Sequence, residues 1–324
     1  MRRQFRHRKR NEAGVALITA LLVVSLASIA AVAVASAGFQ ALSRTQLLLD
    51  SERAWWYAQG MEAWAVSILE REGAQTETDH LGEVWARQVP PLPVEGGALQ
   101  GRIEDAQGRF NLNNLAVDNE EQRNRYIEQF ARLLRCVEAG DDFNARDLAN
   151  AIIDWVDVDE EQRFPGGGED LLYLGKVPPY RTGGQLFSAA SELALINGVD
   201  DDLFRALSPH IVALPQITAI NLNTAQPAVL CALSENADYR ARIGDFVEAR
   251  ADLPLDSVTA AFQEGGLVPA GTSEIQQQDL TVSSRFFLTE AEAFIGNGSA
   301  LLYSLVFRPD QGVPTVLRRS TARP

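Results

Sequence analysis

The stretch GVALITALLVVSLASIAAVAVASAGF, residues 14–39, decides the architecture of this chain. It contains no charged residue and no proline, and after its first residue it has no glycine before Gly38. A helix of this length, rising about 1.5 Å per residue, crosses a hydrocarbon core of about 30 Å. The first ten residues carry six basic side chains and no acidic one. Because basic flanks stay in the cytoplasm, we expect one membrane span, with the rest of the chain exported.

Three interpretations of this stretch compete. A cleaved secretory signal has a shorter apolar region, of about 7–15 residues, and ends at small residues, such as Ala35 and Ala37 here. A plain signal anchor is the second interpretation. The third depends on Gly14, which lies between the basic leader and the apolar run, so cleavage after it would leave the whole helix on the mature chain. The length of the run and the position of Gly14 favour the third interpretation.

This N-terminus resembles a type IV prepilin leader over residues 1–14. The resemblance implies cleavage between Gly14 and Val15 by prepilin peptidase, and N-methylation of the new terminus at Val15. Most pilins and pseudopilins carry glutamate as the fifth mature residue, whereas the fifth residue counted from Val15 is Thr19. In type II secretion, minor pseudopilin K is the subunit that lacks this glutamate. A subunit without that carboxylate has nothing to offer the amine of a subunit above it, which fits the tip of a filament.

The formal net charge of the whole chain is −14, and it is less negative than that of the part after the basic leader. The leader holds six basic residues and one acidic residue, so its removal leaves 23 basic and 42 acidic residues, a net charge of −19. This acidity argues against binding a nucleic-acid backbone and is compatible with cation binding. Cys136 and Cys231 either form one disulfide in an oxidising periplasm or pack as free core residues. The chain has no CxxC motif.

The apolar helix is predicted to continue beyond the membrane half (residues 15–39) through a periplasmic half (residues 40–72). Its predicted buried face recurs at helical spacing and comprises Ala54, Ala58, Met61, Ala65 and Ile68. Residues 73–117 are predicted to begin an α/β domain. Within them, alternating residues from Gly97 and a turn at residues 105–108 predict a hairpin whose second strand covers residues 109–112.

Residues 118–270 have helical periodicity and predict an inserted α-helical domain. One helix is predicted at residues 123–137 with Gly140 as its stop, and Asn144 is predicted to cap the next helix. Residues 188–197 and 201–207 predict two helices across a turn at Gly198, which resembles a helix-hairpin-helix or SAM-like unit. A second, looser copy is predicted at residues 221–246.

Residues 271–324 predict a closing antiparallel meander, with a hairpin turn at Gly296-Asn297-Gly298-Ser299. The predicted fold class is α+β: a pilin-like long helix on an antiparallel sheet, with a large all-α insertion. This organisation resembles the type II secretion minor pseudopilin K over essentially the whole chain. The segments that carry the resemblance are Asp105-x-x-Gly108-Arg109-Phe110-Asn111-Leu112-Asn113, Asp154-Trp155-Val156-Asp157-x-Asp159, Gly167-Gly168-Glu169-Asp170 with Tyr173, and Asn221-Leu222-Asn223-Thr224-Ala225.

Seven acidic residues and one basic residue, Arg163, lie between positions 154 and 170. One proline and three glycines at residues 165–168 can fold the end of this segment back on its start. Ca²⁺ takes six to eight oxygen ligands in tolerant geometry. The spacing is not that of an EF-hand, and a solvated acidic surface is the alternative. The resemblance to the K family implies a structural Ca²⁺ site, for which the candidate ligands are Asp154, Asp157, Asp159, Glu169 and Asp170.

No Gly-x-Ser-x-Gly, His-Glu-x-x-His or phosphate-loop motif is present, and we expect no enzymatic activity. The resemblance implies a minor pseudopilin in the bacterial inner membrane, with its bulk in the periplasm. It would cap or initiate the pseudopilus tip beside the I and J subunits, so that folded proteins are exported through the outer membrane. The alternative is a membrane-anchored helix-hairpin-helix protein of the DNA-uptake type. Residues 200–202, all aspartate, argue against that alternative because they would repel phosphates.

Overall fold

The computed structural model describes residues 13–139 and 145–323. Its helices are α1 (Ala13–Gly73), α2 (Glu120–Cys136), α3 (Ala145–Val156), α4 (Asp170–Leu174), α5 (Asp201–Leu207), α6 (Pro227–Cys231), α7 (Ala237–Asp252) and α8 (Val258–Ala261). Its strands are β1 (Leu92–Val94), β2 (Gly97–Asp105), β3 (Phe110–Asn111), β4 (Ile211–Val212), β5 (Ile220–Asn221), β6 (Leu280–Thr281), β7 (Phe286–Ile295), β8 (Gly298–Phe307) and β9 (Thr315–Ser320).

The two halves of α1 have different surroundings. Residues 15–49 are exposed throughout, and an 18-residue window of the helix reaches a mean hydropathy of 2.7. Within the described part of the chain, α1 is the one helix long and apolar enough to span a membrane. Beyond Asp50 one face of the helix is buried, including Ala54, Ala58 and Ile68. The predicted continuous helix and its buried face are therefore confirmed.

The buried half of α1 lies on a five-stranded antiparallel sheet with the order β1-β2-β7-β8-β9. Ala54 and Ala58 pack against small and branched side chains of β2, β7 and β8, among them Leu99, Ala293 and Leu302. At the β7–β8 turn, the Asp50 carboxylate accepts a hydrogen bond from the Asn297 N–H at 3.1 Å. The turn approaches the helix so closely that a Cβ on Gly298 would overlap the backbone of residues 50 and 51.

The helical block is an insertion into this sheet. β2 and β7 are neighbours, paired from Gly97↔Ile295 to Asp105↔Phe287, although the helical block separates them in sequence. The closing strands β7, β8 and β9 form the predicted meander, and Gly296 takes a left-handed φ of +55° at its first turn. The predicted fold class, a long helix on an antiparallel sheet with a helical insertion, is confirmed. The insertion is not purely α, because it also contains the short parallel pairs β3–β4 and β5–β6.

The predicted hairpin over residues 97–112 is wrong. β2 forms its hairpin with the preceding β1, and after Asp105 the chain leaves the sheet in a 3₁₀ turn, Ala106–Gly108. The Asp105 side chain caps this turn by accepting a hydrogen bond from the Gln107 N–H at 2.8 Å. β3 then pairs in parallel with β4, far along the chain. A local turn pattern cannot reveal such a partner, because the pairing is made across the whole insertion.

The helical block has its own core, which includes Phe110, Phe130, Ile152, Tyr173 and Tyr239. The predicted helix over residues 188–197 is shorter, a 3₁₀ helix at Ala190–Leu195, and it leads through Gly198, with a φ of +94°, to α5. Its start is held by Glu192, whose carboxylate accepts hydrogen bonds from the N–H groups of Ser188 and Ala189. The predicted stop at Gly140 and cap at Asn144 lie outside the described residues.

Candidate functional site

The acidic segment of the sequence folds into one compact loop between α3 and α4. Asp154 lies in the last turn of α3, Asp157 follows its end, and Glu169 directly precedes α4. The chain between them turns back so that one carboxylate oxygen each from Asp157, Asp159 and Glu169 lies within 4.8 Å of the others. Three of the five predicted ligands therefore converge on one point.

Glycine at position 167 allows this return. A Cβ on Gly167 would collide with the Asp154 carboxylate and with the carbonyl oxygen of Arg163. Gly166 takes a φ of +83°, which side chains other than glycine rarely adopt. The Asp154 Oδ2 accepts a hydrogen bond from the Arg163 N–H at 3.0 Å, which fixes the loop to the end of α3. The predicted fold-back through Pro165 and the three following glycines is confirmed.

Several carboxylate oxygens in this loop are buried without a hydrogen-bond partner among the described residues. They are Asp154 Oδ1, both side-chain oxygens of Asp157, and Glu169 Oε1. The one guanidinium in the loop, that of Arg163, lies 3.5 Å from Asp154 Oδ1 and 3.5 Å from Asp157 Oδ2. Arg163 thus faces Asp154 and Asp157, and no ion pair to Asp159 or Glu169 is present among the described residues. Buried acceptors without donors are costly.

The pKa directions agree with this shortage of positive charge. Burial raises the pKa of Glu169 to about 7, and the negative charges of Asp154 and Asp157 add to the effect. Burial also raises the pKa of Asp157, with Asp159 as the next cause, and the pKa of Asp154. A hard divalent cation among these oxygens would favour their charged forms. The residues present fit such a cation by donor type and by their unpaired oxygens.

Asp170 is placed differently from the other predicted ligands. Its carboxylate accepts hydrogen bonds from the Thr182 N–H at 3.0 Å and Oγ1 at 3.1 Å, and from the Arg181 Nη1 at 2.7 Å. The backbone hydrogen bond from Thr182 is the largest of the causes that lower the pKa of Asp170. These protein donors occupy the carboxylate, and it is not among the three that converge. The sequence contained no sign that Arg181 and Thr182 would compete for it.

A second buried acidic cluster, which we call the polar junction, joins the sheet to the helical block. Asp105, at the end of β2, accepts hydrogen bonds on Oδ2 from Asn221 at 3.0 Å, Thr224 at 2.6 Å and Ser284 at 2.7 Å. Asp79 accepts from the Ser284 N–H at 2.6 Å and pairs with the Arg308 guanidinium. Sequence analysis missed the polar junction, whose members are far apart along the chain.

Two asparagines, Asn113 and Asn223, each make a pair of hydrogen bonds to the backbone of one distant residue, which explains part of the motifs quoted above. Asn113 Nδ2 donates to the Phe187 carbonyl at 3.0 Å and its Oδ1 accepts from the Phe187 N–H at 2.9 Å. Asn223 makes the same pair of bonds to Leu255, at 3.0 and 2.8 Å. Both asparagines are almost fully buried. The motifs N-L-N at residues 111–113 and 221–223 thus fasten loops of the helical block.

The two cysteines form a disulfide in the structure. Cys136 at the end of α2 and Cys231 at the end of α6 are joined at an S–S distance of 2.08 Å across 95 positions of sequence. The bond ties two helices of the insertion together.

The predicted processing site lies at the start of α1. Gly14 and Val15 belong to this helix, while residues 1–12 of the leader lie outside the described residues. The Thr19 hydroxyl donates to carbonyls of its own helix, those of Val15 at 3.1 Å and Ala16 at 3.0 Å. Such bonds satisfy the hydroxyl in an apolar environment without a partner subunit.

Comparison with known proteins shows similarity along nearly the whole chain. Residues 108–216 match the family described as "Type II secretion system (T2SS), protein K". The type II secretion system protein K of Pseudomonas aeruginosa is 32% identical over 318 residues, covering 96% of this chain and 93% of that protein. The protein K of Klebsiella pneumoniae is 33% identical over 321 residues, covering 97% of each chain.

The fold also matches a solved structure. A chain of the GspK-GspI-GspJ complex from the enterotoxigenic Escherichia coli Type 2 Secretion System superposes with a TM-score of 0.75 at 24% identity, covering 87% of this chain and all of that chain. These similarities favour the secretion interpretation over the DNA-uptake alternative. With about one third of residues identical over almost the full length of its relatives, the chain belongs to the type II secretion system protein K family.

Proposed function

We propose that this protein is the minor pseudopilin that caps, and helps to initiate, the pseudopilus tip of a type II secretion system. The observation that carries the proposal is the family similarity over 96% of the chain, together with a membrane-length helix that continues into a sheet domain. The role is one of assembly: a short periplasmic filament pushes folded proteins through the outer membrane.

The exposed half of α1 supplies the assembly surface. Residues 15–49 are exposed, and the apolar residues 15–39 among them would pack against the equivalent helices of partner subunits in the inner membrane. Thr19 already bonds to carbonyls of its own helix and offers no carboxylate to the amine of another subunit. The helical insertion, placed between β2 and β7, adds bulk that would block addition of a subunit above. Both features support a terminal position.

The partners in this proposal are the minor pseudopilins I and J of the same secretion system. Support comes from the matching E. coli structure, whose printed description is a complex of GspK with GspI and GspJ. The bulk of the chain would then lie in the periplasm, with the basic N-terminus in the cytoplasm. The test is co-purification of the full-length chain with its own I and J subunits from detergent-solubilised membranes. Absence of both partners under conditions that retain α1 would contradict the proposal.

Processing by prepilin peptidase is part of the same proposal. Cleavage would occur between Gly14 and Val15, and Val15 would carry the N-methyl group. Mass spectrometry of the protein purified from its natural membrane tests this directly. The expected mass corresponds to a chain that begins with methylated Val15. An intact Met1, or a terminus near Ala37, would contradict it.

We further propose that the acidic loop binds one structural Ca²⁺ through Asp157, Asp159 and Glu169, with Asp154 beside them. The support is their convergence within 4.8 Å and the unpaired buried oxygens of Asp154, Asp157 and Glu169. Bound Ca²⁺ would supply the positive charge that the loop lacks, while the chain's own residues hold the loop closed. Asp170 would anchor the neighbouring segment through Thr182 and Arg181 rather than bind the ion.

A further inference from the structure

A cleft of about 370 Å³ lies where the sheet meets the helical block. One wall is formed by the end of β2 and the turn after it, and the opposite walls by residues 81–88 and by Pro209, Thr224 and Gln226. A Cβ on Gly108 would lie 2.9 Å from the Thr224 carbonyl oxygen, so glycine is required for the two domains to meet here. This volume is in the range of pockets that hold small ligands or a few residues of a peptide.

Arg109 lies in this cleft and is the residue of the Gly108-Arg109 motif that has no role in the fold described so far. Its side chain is only 8% exposed, and its Nη2 pairs with Glu104. Its Nε and Nη1 have no hydrogen-bond partner among the described residues and are not sealed from solvent. A guanidinium has five N–H donors, so most of the donors of Arg109 are unused.

Three guanidinium groups share the single carboxylate of Glu104. Arg102 Nε lies 3.1 Å from Glu104 Oε1 and Arg323 Nη2 lies 3.3 Å from Oε2, beside the pair with Arg109. Arg102 has a second partner in Glu290 at 2.6 Å. Burial lowers the pKa of Arg109, and the positive charges of Arg323 and Arg102 lower it further, against the effect of Glu104. Asp105 also lines the cleft, but its Oδ2 accepts hydrogen bonds from Asn221, Thr224 and Ser284. A carboxylate from outside the chain would therefore relieve this crowding of guanidinium groups.

We propose that Arg109 and Arg323 bind a carboxylate side chain of a partner polypeptide in this cleft. Guanidinium groups match carboxylates in a bidentate geometry, and buried pairs of this kind are specific. A free small anion is less suited because the chain has a net charge of −14 and repels it at long range. A carboxylate on a docked chain is delivered by neighbouring contacts, for which Leu81, Trp85 and Pro209 line the cleft. This site is independent of the proposed metal loop.

The probe is the peptide acetyl-Leu-Glu-Leu-amide, titrated calorimetrically into the full-length protein in uncharged detergent. The controls are the matched peptide acetyl-Leu-Gln-Leu-amide and free succinate. We expect the glutamate peptide to bind to the wild-type protein. The glutamine peptide should bind to the wild type about tenfold more weakly or worse, and Arg109→Gln should reduce the affinity for the glutamate peptide by a similar factor. Arg323→Gln should weaken it less, because Arg323 is half exposed. The control Arg205→Gln, an exposed residue paired with Asp202, should change nothing.

Glu104→Gln separates recognition from structural damage. Removing the internal carboxylate frees Arg109 and Arg323, while Arg102 stays paired with Glu290. The glutamate peptide should therefore bind several-fold tighter, whereas a merely damaged cleft would bind it more weakly. Equal binding of the glutamate and glutamine peptides, or no binding of either, overturns the proposal. Tighter binding of succinate than of the peptide would also overturn it, because the site would then serve a free anion. If Arg109→Gln does not fold, Arg323→Gln and Glu104→Gln still decide the outcome.

Discussion

Asp105 and Glu169 are both buried carboxylates, but their surroundings differ. In the polar junction, Asp105 accepts hydrogen bonds from three side chains and from the Gln107 N–H. In the acidic loop, Glu169 Oε1 and both oxygens of Asp157 have no donor among the described residues. At similar burial, the hydrogen-bond acceptors of Asp105 are therefore paired with donors, whereas Glu169 has an unpaired acceptor oxygen.

Asp79 Oδ1 in the polar junction also lacks a hydrogen-bond partner among the described residues, but the Asp79 carboxylate is paired with the Arg308 guanidinium. The shortage of donors and of positive charge together therefore identifies the acidic loop as the cluster that needs a ligand. A buried carboxylate with enough donors joins parts of the protein and gains nothing from a cation. A cluster of carboxylates with one nearby guanidinium remains repulsive until a positive charge enters. The number of carboxylates alone does not tell which of the two clusters binds a metal. The number of nearby hydrogen-bond donors and positive charges distinguishes the polar junction, which links the sheet to the helical block, from a candidate metal site.

The largest effect should come from Asp105→Ala. The substitution leaves the side-chain donors of Asn221, Thr224 and Ser284 buried without their acceptor, so we expect the free energy of unfolding to fall by about 3 kcal/mol or more. Thermal melting of the full-length protein in detergent, followed by circular dichroism, measures the effect. The loss should be the same with and without Ca²⁺. The control is Asp310→Ala, which removes an exposed ion pair with Arg285 and should cost well under about 1 kcal/mol.

Removal of Ca²⁺ should have the next largest effect, and only through the acidic loop. At a free Ca²⁺ concentration one hundred times the Kd, binding stabilises the folded state by about 2.7 kcal/mol, so EGTA should lower the melting temperature. Mg²⁺ at the same concentration should replace the effect only in part, because it keeps its water ligands. An unchanged melting temperature in EGTA would contradict the metal site while leaving the polar junction intact.

The effect of Asp157→Asn on the free energy of unfolding should have opposite signs with and without Ca²⁺. In EGTA the substitution removes one of the mutually repelling charges, so we expect stabilisation of about 1 kcal/mol. In Ca²⁺ it removes a ligand and should destabilise the chain by a similar amount or more. Glu248→Gln, an exposed acid-to-amide change in α7, is the matched control and should be neutral in both conditions. Destabilisation by Asp157→Asn in EGTA would indicate a structural role for the charge.

The smallest effect should be on the pH dependence without metal. The pKa of Glu169 is raised from 4.5 to about 7 in the folded state, so this group binds its proton more tightly there than in the unfolded chain. Its contribution to stability is present at low pH and is lost as the pH rises from about 4.5 through about 7. In EGTA, the melting temperature should therefore fall more steeply with rising pH across this range for the wild type than for Glu169→Gln. Parallel curves would contradict the assignment.

Asp105 offers a comparison for the pH experiment. Burial raises its pKa from 3.8 to about 6, so its contribution is lost in the same direction but over a lower range. Saturating Ca²⁺ should flatten the loss that belongs to Glu169 and leave the loss that belongs to Asp105.

Much of the architecture was predictable because it depends on local periodicity. The length of α1 follows from an uninterrupted apolar run and a face that recurs every three to four residues, including Ala54 and Ala58. The hairpin turn at Gly296 follows from its residue types. The second strand predicted at residues 109–112 failed because β3 pairs with β4 across the insertion, and no local pattern contains that partner.

The candidate site was predictable to the extent that its ligands are close in sequence. The glycines at 166–168 allow the chain to turn back, and Asp157, Asp159 and Glu169 converge accordingly. The acidic segment and the resemblance predict Asp170 as a ligand as well, yet its carboxylate accepts hydrogen bonds from Thr182 and Arg181. Adjacent residues on a helix start face different directions, and their partners depend on how distant segments pack.

The sequence by itself determined the long helix with its membrane-length apolar half, the meander and the acidic loop, since each is encoded by composition or spacing within a few tens of residues. Only the tertiary structure decided which buried carboxylates have hydrogen-bond donors and whether the two cysteines are bonded. It also decided that three guanidinium groups share the carboxylate of Glu104. The physical reason is that charge and hydrogen-bond balance is settled between groups that meet in space, and here these groups come from positions as far apart as Asp79 and Arg308.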